Sequence, residues 1–590
     1  MVAAAAGGTP VYKEALAAIR ARRMTMELSM SIAVGAALVI GEFFTAAIIV
    51  LFVLVAEELE GLTVERGRRA IRSLVDLLPR QVLVRRESGE QELNSADLVP
   101  GDVVVVKPGG RLPVDGEVVS GQSSVDQSSI TGESMPAGKG PGSTAFAGTI
   151  NLTGVLHIRT GRVGADTAFG KIVAAVERAE RTRAPIQKIA DRLAGYLVYV
   201  ALACAALTFV ITRDPRATIA VVIVAGACGI AAGTPLAILG AIGRAARAGV
   251  IVKGGLYMES LGRVDTVVLD KTGTLTFGVL EVKEVRPAPG VLPRDLLEAA
   301  ATVEHRSEHP AAKAILRRAA ADSIAPREPE AFDSTPGLGV VCTVEGTRMV
   351  AGKRAFLAAR GVDLARLGPA PADLSEVVVA RDGVLLGSLH VADALRPEAV
   401  AAVQALRDMG LRTVLLTGDS TAIASVVAGQ LGVEEFQAEL LPEDKQRRIV
   451  ALRSQGRMVA MVGDGVNDAP ALTEADVGIA VGSGTDVALE SADAVILGSD
   501  LLKLAEILGI ARRCRRIILQ NFVGTLAVDG LGVVLAACGV LSPVFAAFVH
   551  VASELTFILN SARLVPMGPA PRPSPKTVPS ESAIPGGASV

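Results

Sequence analysis

Long apolar runs alternate with long charged regions along the chain, and the apolar runs come in three pairs. A membrane-spanning helix needs about 20 apolar residues, so each run is a candidate for one crossing. The first pair is long enough only if it begins near Met24 and continues to about Leu59, and one long bent helix is the alternative there. The paired runs cover residues 28–40 and 43–56, 193–212 and 218–242, and 518–541 and 544–562.

The first polar region, residues 66–183, has the pattern of a small β-rich domain, because short β-branched runs alternate with turns that contain Gly or Pro. The tetrapeptide Thr-Gly-Glu-Ser at 131–134 lies within it. Its glycine permits a tight turn, and Glu133 can orient a water molecule. Taken alone, the tetrapeptide is better explained as an ordinary surface turn. The predicted strands cover 81–84, 102–106, 116–119 and 155–159.

The second polar region, about residues 244–516, has an α/β rhythm interrupted by an inserted domain at about 278–392. Three predicted strands, 265–269, 413–416 and 459–462, each end in acidic or hydroxyl residues. In a doubly wound sheet, ligands bind at the carboxyl ends of the strands. The sequence therefore predicts that these polar residues share one site.

The heptapeptide Asp-Lys-Thr-Gly-Thr-Leu-Thr at 270–276 has a specific chemical use. A carboxylate such as Asp270 can attack a phosphoryl group and hold it as an acyl phosphate. Lys271 can offset the arriving charge, and the small residues let backbone N–H groups face phosphate oxygens. Lys445, at the start of an amphipathic helix, brings another cation near the site.

Composition and charge narrow the class of protein. At 590 residues, three or four units are expected. Half of the residues are hydrophobic, yet 20% are charged, and the mean hydropathy is +0.45. We therefore expect membrane segments beside soluble domains. The net charge of −2 argues against a nucleic-acid partner. The 5 cysteines contain no CxxC pair, which argues against a disulfide framework or a zinc ribbon.

The turns predicted within the three pairs are very short, so both polar regions and both termini are expected on one side of the membrane. Arg512, Arg513, Arg515 and Arg516 flank the last pair and place that side in the cytoplasm. No secretory signal is visible at the N-terminus. The prediction is a multi-pass protein of the cell membrane with a disordered Pro- and Ser-rich tail.

The four motifs at 131–134, 270–276, 417–419 and 463–470 occur in the order and spacing of P-type ATPases, and the resemblance covers about residues 12–565. It implies a multidomain membrane protein with an α-helical bundle of about six helices, a β-rich actuator domain, a doubly wound α/β (haloacid-dehalogenase-like) phosphorylation domain and an inserted α+β nucleotide-binding domain. The implied divisions are 1–65 (N-terminal segment and helices 1–2), 66–187 (actuator), 188–257 (helices 3–4), 258–277 with 393–516 (phosphorylation), 278–392 (nucleotide-binding), 517–565 (helices 5–6) and 566–590 (tail).

The resemblance also implies roles for individual residues in phosphoryl transfer. Asp270 would be the phosphorylated nucleophile and Glu133 would position the hydrolytic water. Mg²⁺ would be held by Asp464, Asp270 and the carbonyl of Thr272, which suits a hard oxygen-ligand site. The residues implied to neutralise or support the transferring group are Lys271, Thr417, Gly418, Asp419, Lys445, Asn467 and Asp468.

The inserted domain resembles the nucleotide pocket of the heavy-metal (type IB) subfamily, in which a His-Pro pair and a glycine pair hold ATP. A surface histidine before a proline is the alternative for His309. The residues implied to contact ATP are Glu304, His309, Gly337, Gly339 and Gly352.

The chain departs from the family in the membrane. The usual Cys-Pro-Cys or Ser-Pro-Cys motif aligns with Gly-Ala-Cys at 226–228, so the proline is missing. Cys228 is either a soft ligand or a small buried hydrophobe, and both alternatives stay open. Asp529 and Glu554 are carboxylates in apolar helices, which are expensive in lipid and by default functional. The alternative to a metal-binding role is that one of these two carboxylates is protonated and paired with His550.

One thiolate, one imidazole and two carboxylates favour a divalent ion such as zinc, cobalt, nickel, iron or manganese over copper(I). The sequence shows neither an N-terminal CxxC domain nor the family's two extra N-terminal helices, which is expected of a diverged member. Export of a divalent transition-metal ion, driven by ATP with Mg²⁺, is the first hypothesis. An uncoupled pump core that serves as a sensor is the second. A soluble haloacid-dehalogenase phosphatase is disfavoured by the apolar runs, and no protein partner is identified.

Overall fold

The computed structural model comprises a bundle of apolar helices and three soluble folding units. Helices such as Phe43–Val75 and Leu502–Ala537 run from the apolar part into the polar regions and connect these parts. The structure describes residues 7–20, 26–75, 79–86, 89–127, 136–167, 169–170, 184–225, 228–335, 338–369, 374–464, 468–482, 491–498 and 500–565.

Within these residues, 3 helices are long and apolar enough to cross a membrane by themselves. They are Pro185–Thr212, Leu502–Ala537 (the long helix) and Pro543–Ala562 (the final helix). Fewer crossings therefore meet this criterion than the sequence pattern predicts. One reason is that Phe43–Val75 carries Glu57, Glu58 and Glu60 in the stretch where its apolar run ends. Two further helices at the N-terminal end are Thr9–Arg20 and Met26–Val39.

The run predicted as one helix over 218–242 forms two helices, which corrects that prediction. The first half-helix is Pro215–Val224 and the second half-helix is Cys228–Arg247. Ala225 has φ −86° and ψ 56°, which is not helical. The first half-helix therefore ends shortly before position 227, which aligns with the family's proline, is alanine in this sequence and lies outside the described residues. Pro235 lies further along, inside the second half-helix.

The first polar region forms two small β-sheets, which confirms the β-rich prediction. A six-stranded sheet surrounds a core of valine, leucine and isoleucine side chains, and a three-stranded sheet lies beside it. In sheet order, the strands of the larger sheet are Gly89–Asn94, Gln81–Arg86, Val103–Val106, Leu156–Arg162, Asp115–Ser120 and Thr144–Ala145, and those of the smaller are Ala137–Lys139, Ser123–Asp126 and Ile150–Asn151.

The second polar region forms a seven-stranded sheet, parallel except for one edge strand, with helices around it. Apart from the edge strand Glu435–Gln437, its strands are buried on both faces, which explains their nearly continuous apolar sequence. In sheet order they are Val250–Val252, Ala494–Leu497, Val477–Gly482, Val459–Gly463, Thr266–Asp270, Arg412–Leu416 and Glu435–Gln437. The helices are Gly255–Leu261, Ala399–Asp408, Thr421–Leu431, Pro442–Ser454 and Ala469–Glu474.

The inserted domain is a six-stranded antiparallel sheet with three helices. Its two longest strands, Thr276–Pro287 and Val384–Leu395, are paired and lead back to the parallel sheet. The first of these strands runs through the domain boundary predicted at 277/278, and the second runs through the boundary predicted at 392/393. The other strands are Ser375–Arg381, Thr347–Gly352, Gly339–Val344 and Ala331–Thr335, and the helices are Pro293–Val303, Pro310–Ala321 and Arg354–Ala358.

The long helix joins the parallel sheet to the membrane part without a break. Its first turns bury Leu504, Ile507 and Leu508 in the core of the parallel-sheet domain. The second half-helix contributes Ala241 and Ile242 to the same core. The predicted boundary at 516/517 thus falls within a continuous helix, and one apolar core extends from the sheet into the membrane part.

Candidate functional site

Asp270 is the last residue of a central strand of the parallel sheet. The neighbouring strands, Arg412–Leu416 and Val459–Gly463, run in the same direction, and their next residues include Thr417 and Asp464. The side chain of Asp270 is only 3% exposed. The parallel topology therefore brings three separate sequence motifs to one edge of the sheet, as the strand pattern predicts.

Lys445 bridges two carboxylates at this edge. Its Nζ lies 2.6 Å from Oδ1 of Asp270 and 2.7 Å from Oδ1 of Asp468. Burial and the charge of Asp468 raise the pKa of Asp270 to about 7, against the opposing effect of Lys445. Burial would lower the pKa of Lys445, but Asp270 and Asp468 outweigh it and raise that pKa. Lys445 is therefore a cation fixed beside Asp270, the predicted nucleophile.

Lys271 has a different partner from Lys445. Its Nζ lies 2.5 Å from Oδ2 of Asp419, and the lysine side chain is buried. Thr417 is also buried, and its Oγ1 accepts a hydrogen bond from the backbone N–H of Asp419. The Thr-Gly-Asp turn thus positions Asp419 to hold Lys271 next to Asp270.

The carboxylates around Asp270 fit a hard divalent cation such as Mg²⁺. The charge of Asp464 raises the pKa of Asp270, so the two carboxylates repel each other when both are ionised. Asp464 also packs on Gly273, which has φ +77°, and a Cβ at Gly273 would lie 3.2 Å from its Oδ2. Two close carboxylates with oxygen donors only are the kind of set that Mg²⁺ prefers.

Sequence reasoning missed Arg396 and Asp393. Nε of Arg396 donates to the carbonyls of Thr274 and Thr276 at 2.7 and 3.2 Å, and Nη2 donates to the carbonyl of Gly273 at 3.0 Å. Asp393 accepts from the hydroxyl of Thr276. These two residues therefore fix the loop after Asp270 where the inserted domain begins. A buried arginine 126 positions away has no local sequence signal.

Four of the residues predicted to contact ATP line one cavity of 270 Å³ in the inserted domain: Glu304, His309, Gly339 and Gly352. Gly339 and Gly352 are paired across neighbouring strands, and a Cβ on Gly352 would lie 2.4 Å from the carbonyl oxygen of Leu338. The two glycines thus allow a close backbone approach beside the cavity.

His309 and Glu304 have distinct environments in this cavity. Nδ1 of His309 accepts a hydrogen bond from the backbone N–H of Ala311, so the neutral ring carries its proton on Nε2. Glu304 is 6% exposed, and burial raises its pKa. Its Oε2 has no hydrogen-bond partner within the described ranges. The cavity therefore offers a ring N–H donor and a carboxylate acceptor.

A cleft of 340 Å³ connects this cavity with the phosphorylation site. Leu280, Ser375 and Val391 line both spaces, and the cleft continues to Lys271 and Asp419. A ligand that extends through both spaces would therefore have one end in the inserted domain and the other near Lys271.

Some predicted site residues lie outside the described residues. These are Glu133, Gly337 and Asn467, together with Gly226 and Ala227 of the membrane motif. The backbone of Cys228 begins the second half-helix, but its side chain is not among those described.

The interruption between the half-helices faces the long helix and the final helix. His550 of the final helix hydrogen-bonds to the backbone of Val224, the last residue of the first half-helix. Val224 also packs on Gly532, where a Cβ would lie 2.5 Å from its Cγ2. At the other side of the interruption, Gly229 faces Thr525 and Phe557.

Asp529 and Glu554 lie at the level of the interruption. Asp529 is one turn from both Thr525 and Gly532, and Glu554 is one turn from both His550 and Phe557. Both carboxylates are buried. Neither oxygen of Asp529 has a hydrogen-bond partner among the described residues. No group of three or more His, Cys, Asp or Glu side chains in metal-binding proximity is found in the described part of the chain.

Two other polar residues of the long helix have separate roles. Asn521 is buried and links the long helix to the final helix. Its Nδ2 donates to Oγ of Ser561 at 2.8 Å, and its Oδ1 accepts from Asn560 at 2.9 Å. Thr525 was missed by sequence reasoning. Its buried hydroxyl lies beside Gly229 and has no hydrogen-bond partner within the described ranges. Thr525 is one turn from Asp529 on the same face of the long helix.

Two protein-family models match the chain. The P-type ATPase actuator domain matches residues 76–177, and the haloacid dehalogenase-like hydrolase matches residues 264–476. The copper-exporting P-type ATPase of Bacillus subtilis (strain 168) is 37% identical over 535 residues, which are 88% of this chain and 67% of that protein. The probable copper-exporting P-type ATPase V of Mycobacterium tuberculosis is 38% identical over 537 residues, which are 88% of this chain and 70% of that protein.

Solved structures show the same likeness. The crystal structure of a zinc-transporting PIB-type ATPase in the E2.Pi state has a TM-score of 0.61 and 33% sequence identity, and the match covers 95% of this chain and 94% of that chain. A second crystal structure of a zinc-transporting PIB-type ATPase, in another state, has a TM-score of 0.57 with the same identity and coverage. Together with the site at Asp270, these similarities show that the chain belongs to the heavy-metal (type IB) P-type ATPases, which are integral membrane enzymes.

Proposed function

We propose that the protein exports a divalent transition-metal ion across the cell membrane, driven by ATP through a phosphorylated Asp270. The observation that supports ATP-driven phosphorylation most directly is the Asp270–Lys445–Asp468 cluster at the end of the parallel sheet. The named activities of the relatives, copper export and zinc transport, support heavy-metal transport as the purpose of that chemistry.

In the proposed reaction, a carboxylate oxygen of Asp270 attacks the terminal phosphorus of ATP. A P–O bond to Asp270 forms, the P–O bond to the leaving group breaks, and ADP departs. Lys445 and Lys271 offset the negative charge on the transferring oxygens, and Thr417 donates a hydrogen bond. Arg396 keeps the backbone N–H groups of the loop in place, so little reorganisation is needed during transfer.

Mg²⁺ would be held by Asp270, Asp464 and the carbonyl of Thr272, and it would neutralise charge on the phosphoryl group. Asn467 and Asp468 would support this arrangement. Glu133 of the actuator domain would position the water that hydrolyses the aspartyl phosphate. Gly418 would allow the Thr-Gly-Asp turn to approach the phosphate closely.

ATP would lie across the cavity and the cleft described above. His309 and Glu304, with Gly337, Gly339 and Gly352, would hold the adenosine end, and the phosphates would reach Lys271 through the cleft. The ring N–H of His309 and the carboxylate of Glu304 match acceptor and donor groups of an adenine base.

The cargo site would lie at the interruption between the half-helices, with Asp529, His550, Glu554 and Cys228 as candidate ligands. Two carboxylates and an imidazole favour a borderline or hard divalent ion over copper(I). We also propose that the actuator, phosphorylation and nucleotide-binding regions act as separate functional units, although three of their predicted boundaries fall within continuous strands or a helix. The soluble units and both termini would lie in the cytoplasm.

The test is an ATPase assay on the purified full-length protein across zinc, cobalt, nickel, iron(II), manganese and copper(I). We expect stimulation by a divalent ion, no acyl phosphate in Asp270→Asn, and altered metal dependence in Cys228→Ala, Asp529→Asn, His550→Ala or Glu554→Gln. Stimulation by copper(I) alone would contradict the divalent assignment. Phosphorylation without any metal response would contradict transport and favour the uncoupled sensor.

A further inference from the structure

A basic cavity of 860 Å³ lies where the parallel-sheet domain meets the membrane part, and none of its lining residues is assigned to the phosphorylation or cargo site. One wall is the short segment Gly262–Val264, and the other is one face of the long helix. The two walls touch because Gly262 packs on the long helix, where a Cβ would lie 2.8 Å from the carbonyl oxygen of Ala511. The concavity is therefore formed by two separate parts of the chain.

Among the described residues, four arginines and no carboxylate line the cavity: Arg263, Arg512, Arg515 and Arg516. Arg512 is fixed, because its guanidinium donates to the carbonyls of Met409 and Val264 at 2.5 and 3.4 Å. The other three side chains form no ion pair with any described residue. The cavity thus concentrates positive charge that the described protein does not balance.

The part of the cavity that lies farther along the long helix, beyond the arginines, includes aliphatic side chains. Leu519 and Val523 line it, and they are 46% and 67% exposed on the surface of the long helix. They follow the arginines at helical spacing, on the stretch that enters the apolar span. The surface therefore offers arginines at the membrane–water boundary and aliphatic side chains immediately inside it.

We propose that this cavity binds the phosphate headgroup of an anionic glycerophospholipid, with an acyl chain lying along Leu519 and Val523. Arginine guanidinium groups bind phosphate through paired hydrogen bonds. A basic cluster next to a membrane helix attracts anionic lipid. A soluble phosphate would satisfy the arginines but would leave the apolar part of the cavity uncovered.

Such a lipid would join the segment Gly262–Val264 to the long helix. That segment leads directly into the strand that ends at Asp270. Bound lipid would therefore stabilise one relative position of the membrane part and the strand that carries the nucleophile, independently of which metal is transported.

The experiment uses the full-length protein in nanodiscs of phosphatidylcholine, with or without phosphatidylglycerol of the same acyl chains. Native mass spectrometry counts retained lipids. We expect selective retention of phosphatidylglycerol, reduced about fivefold for each of Arg263, Arg515 and Arg516 changed to Gln. Arg516→Lys should retain more lipid than Arg516→Gln.

Arg513→Gln is the matched control, because Arg513 is an exposed arginine of the same helix, one turn from Arg516, that does not line the cavity. Equal losses for Arg513→Gln and Arg515→Gln, or equal retention of the two lipids, would overturn the proposal. Competition by soluble glycerol phosphate as effective as by the lipid would show a free-phosphate site instead and would also overturn it. Acyl-phosphate formation in the same samples reports separately on the function proposed for Asp270.

Discussion

The phosphorylation site and the membrane site contain similar buried acidic groups but treat their charges differently. At the sheet edge, Asp270 and Asp468 share the ammonium group of Lys445. In the membrane part, Asp529 is buried with no hydrogen-bond partner among the described residues. One site thus carries its own cation, whereas the other has a carboxylate that the described protein leaves unneutralised.

This difference is consistent with the tasks proposed for the two sites. A buried charge is costly unless it is paired, so a site that brings its own cation is assembled before its substrate arrives. A buried acid without such a partner gains stabilisation when a cation binds. The first arrangement suits fast phosphoryl transfer, and the second suits reversible binding of an ion.

The largest effect is expected from Lys445→Ala. This substitution leaves Asp270 and Asp468 buried without their shared cation, which costs about 3–5 kcal/mol of folding stability. It also removes a cation that would offset charge on the transferring phosphoryl group, so we expect a loss of roughly 100-fold or more in phosphorylation rate. The measurement is acyl-phosphate formation from labelled ATP. Lys313→Ala, an exposed lysine in the inserted domain, is the control. A rate close to that of the unmodified protein would show that the internal cation is dispensable.

A pair of substitutions tests the comparison directly. Asp468→Ala should lower the melting temperature of the metal-free protein, because it removes an oxygen that accepts a hydrogen bond from the buried Lys445. Asp529→Asn should leave it unchanged or raise it, while metal stimulation of ATP hydrolysis falls by about tenfold. Differential scanning calorimetry and ATPase assays measure the two effects. If Asp529→Asn destabilised the metal-free protein, Asp529 would have an internal partner after all.

A smaller effect is expected from Gly352→Ala in the nucleotide cavity. A Cβ at this position would lie 2.4 Å from the carbonyl oxygen of Leu338, so the paired strands must separate. We expect the KM for ATP to rise by about tenfold with a smaller change in kcat, as for lost ground-state binding. Gly368→Ala, where a Cβ meets no atom within 4 Å, is the control. Equal KM values for the two variants would argue against a nucleotide at Gly352.

The smallest expected effect is a shift in the pH dependence of phosphorylation at Asp270. Burial and the charge of Asp468 raise the pKa of Asp270 to about 7, and only the ionised carboxylate is a nucleophile. A nearby divalent cation favours the ionised form, so raising Mg²⁺ should move the acidic limb of phosphorylation to lower pH, by about one unit. Quenched-flow phosphorylation across pH at two Mg²⁺ concentrations measures this shift. A limb that does not move with Mg²⁺ would place the metal away from Asp270.

Local sequence predicts the sheet edge well. Each strand near Asp270 is a short apolar run followed at once by its polar residues, and parallel topology then brings the runs together. The strands near 413–416 and 459–462 are confirmed for that reason. Arg396 could not be predicted in this way, because its role depends on three carbonyls that only the folded loop presents.

The structure of the membrane part is harder to predict from sequence than the sheet edge. Apolar runs are predictable, but the interruption after Val224 has no proline to mark it. The proximity of Thr525 to Gly229 depends on the packing of three helices. The boundary at 516/517 falls within a helix for a similar reason, since hydropathy changes there while the hydrogen-bonded backbone continues through Arg516 and Ile517.

The uninterrupted long helix has a mechanical consequence. It has 36 residues and therefore a length of about 54 Å. Its first turns pack in the hydrophobic core of the domain whose sheet carries Asp270. A tilt of about 5° at that end displaces the other end by about 5 Å, roughly one helical turn. A rigid tilt of this size would move Asp529, about 40 Å along the helix, by about 3.5 Å relative to the first half-helix, which packs in a separate core.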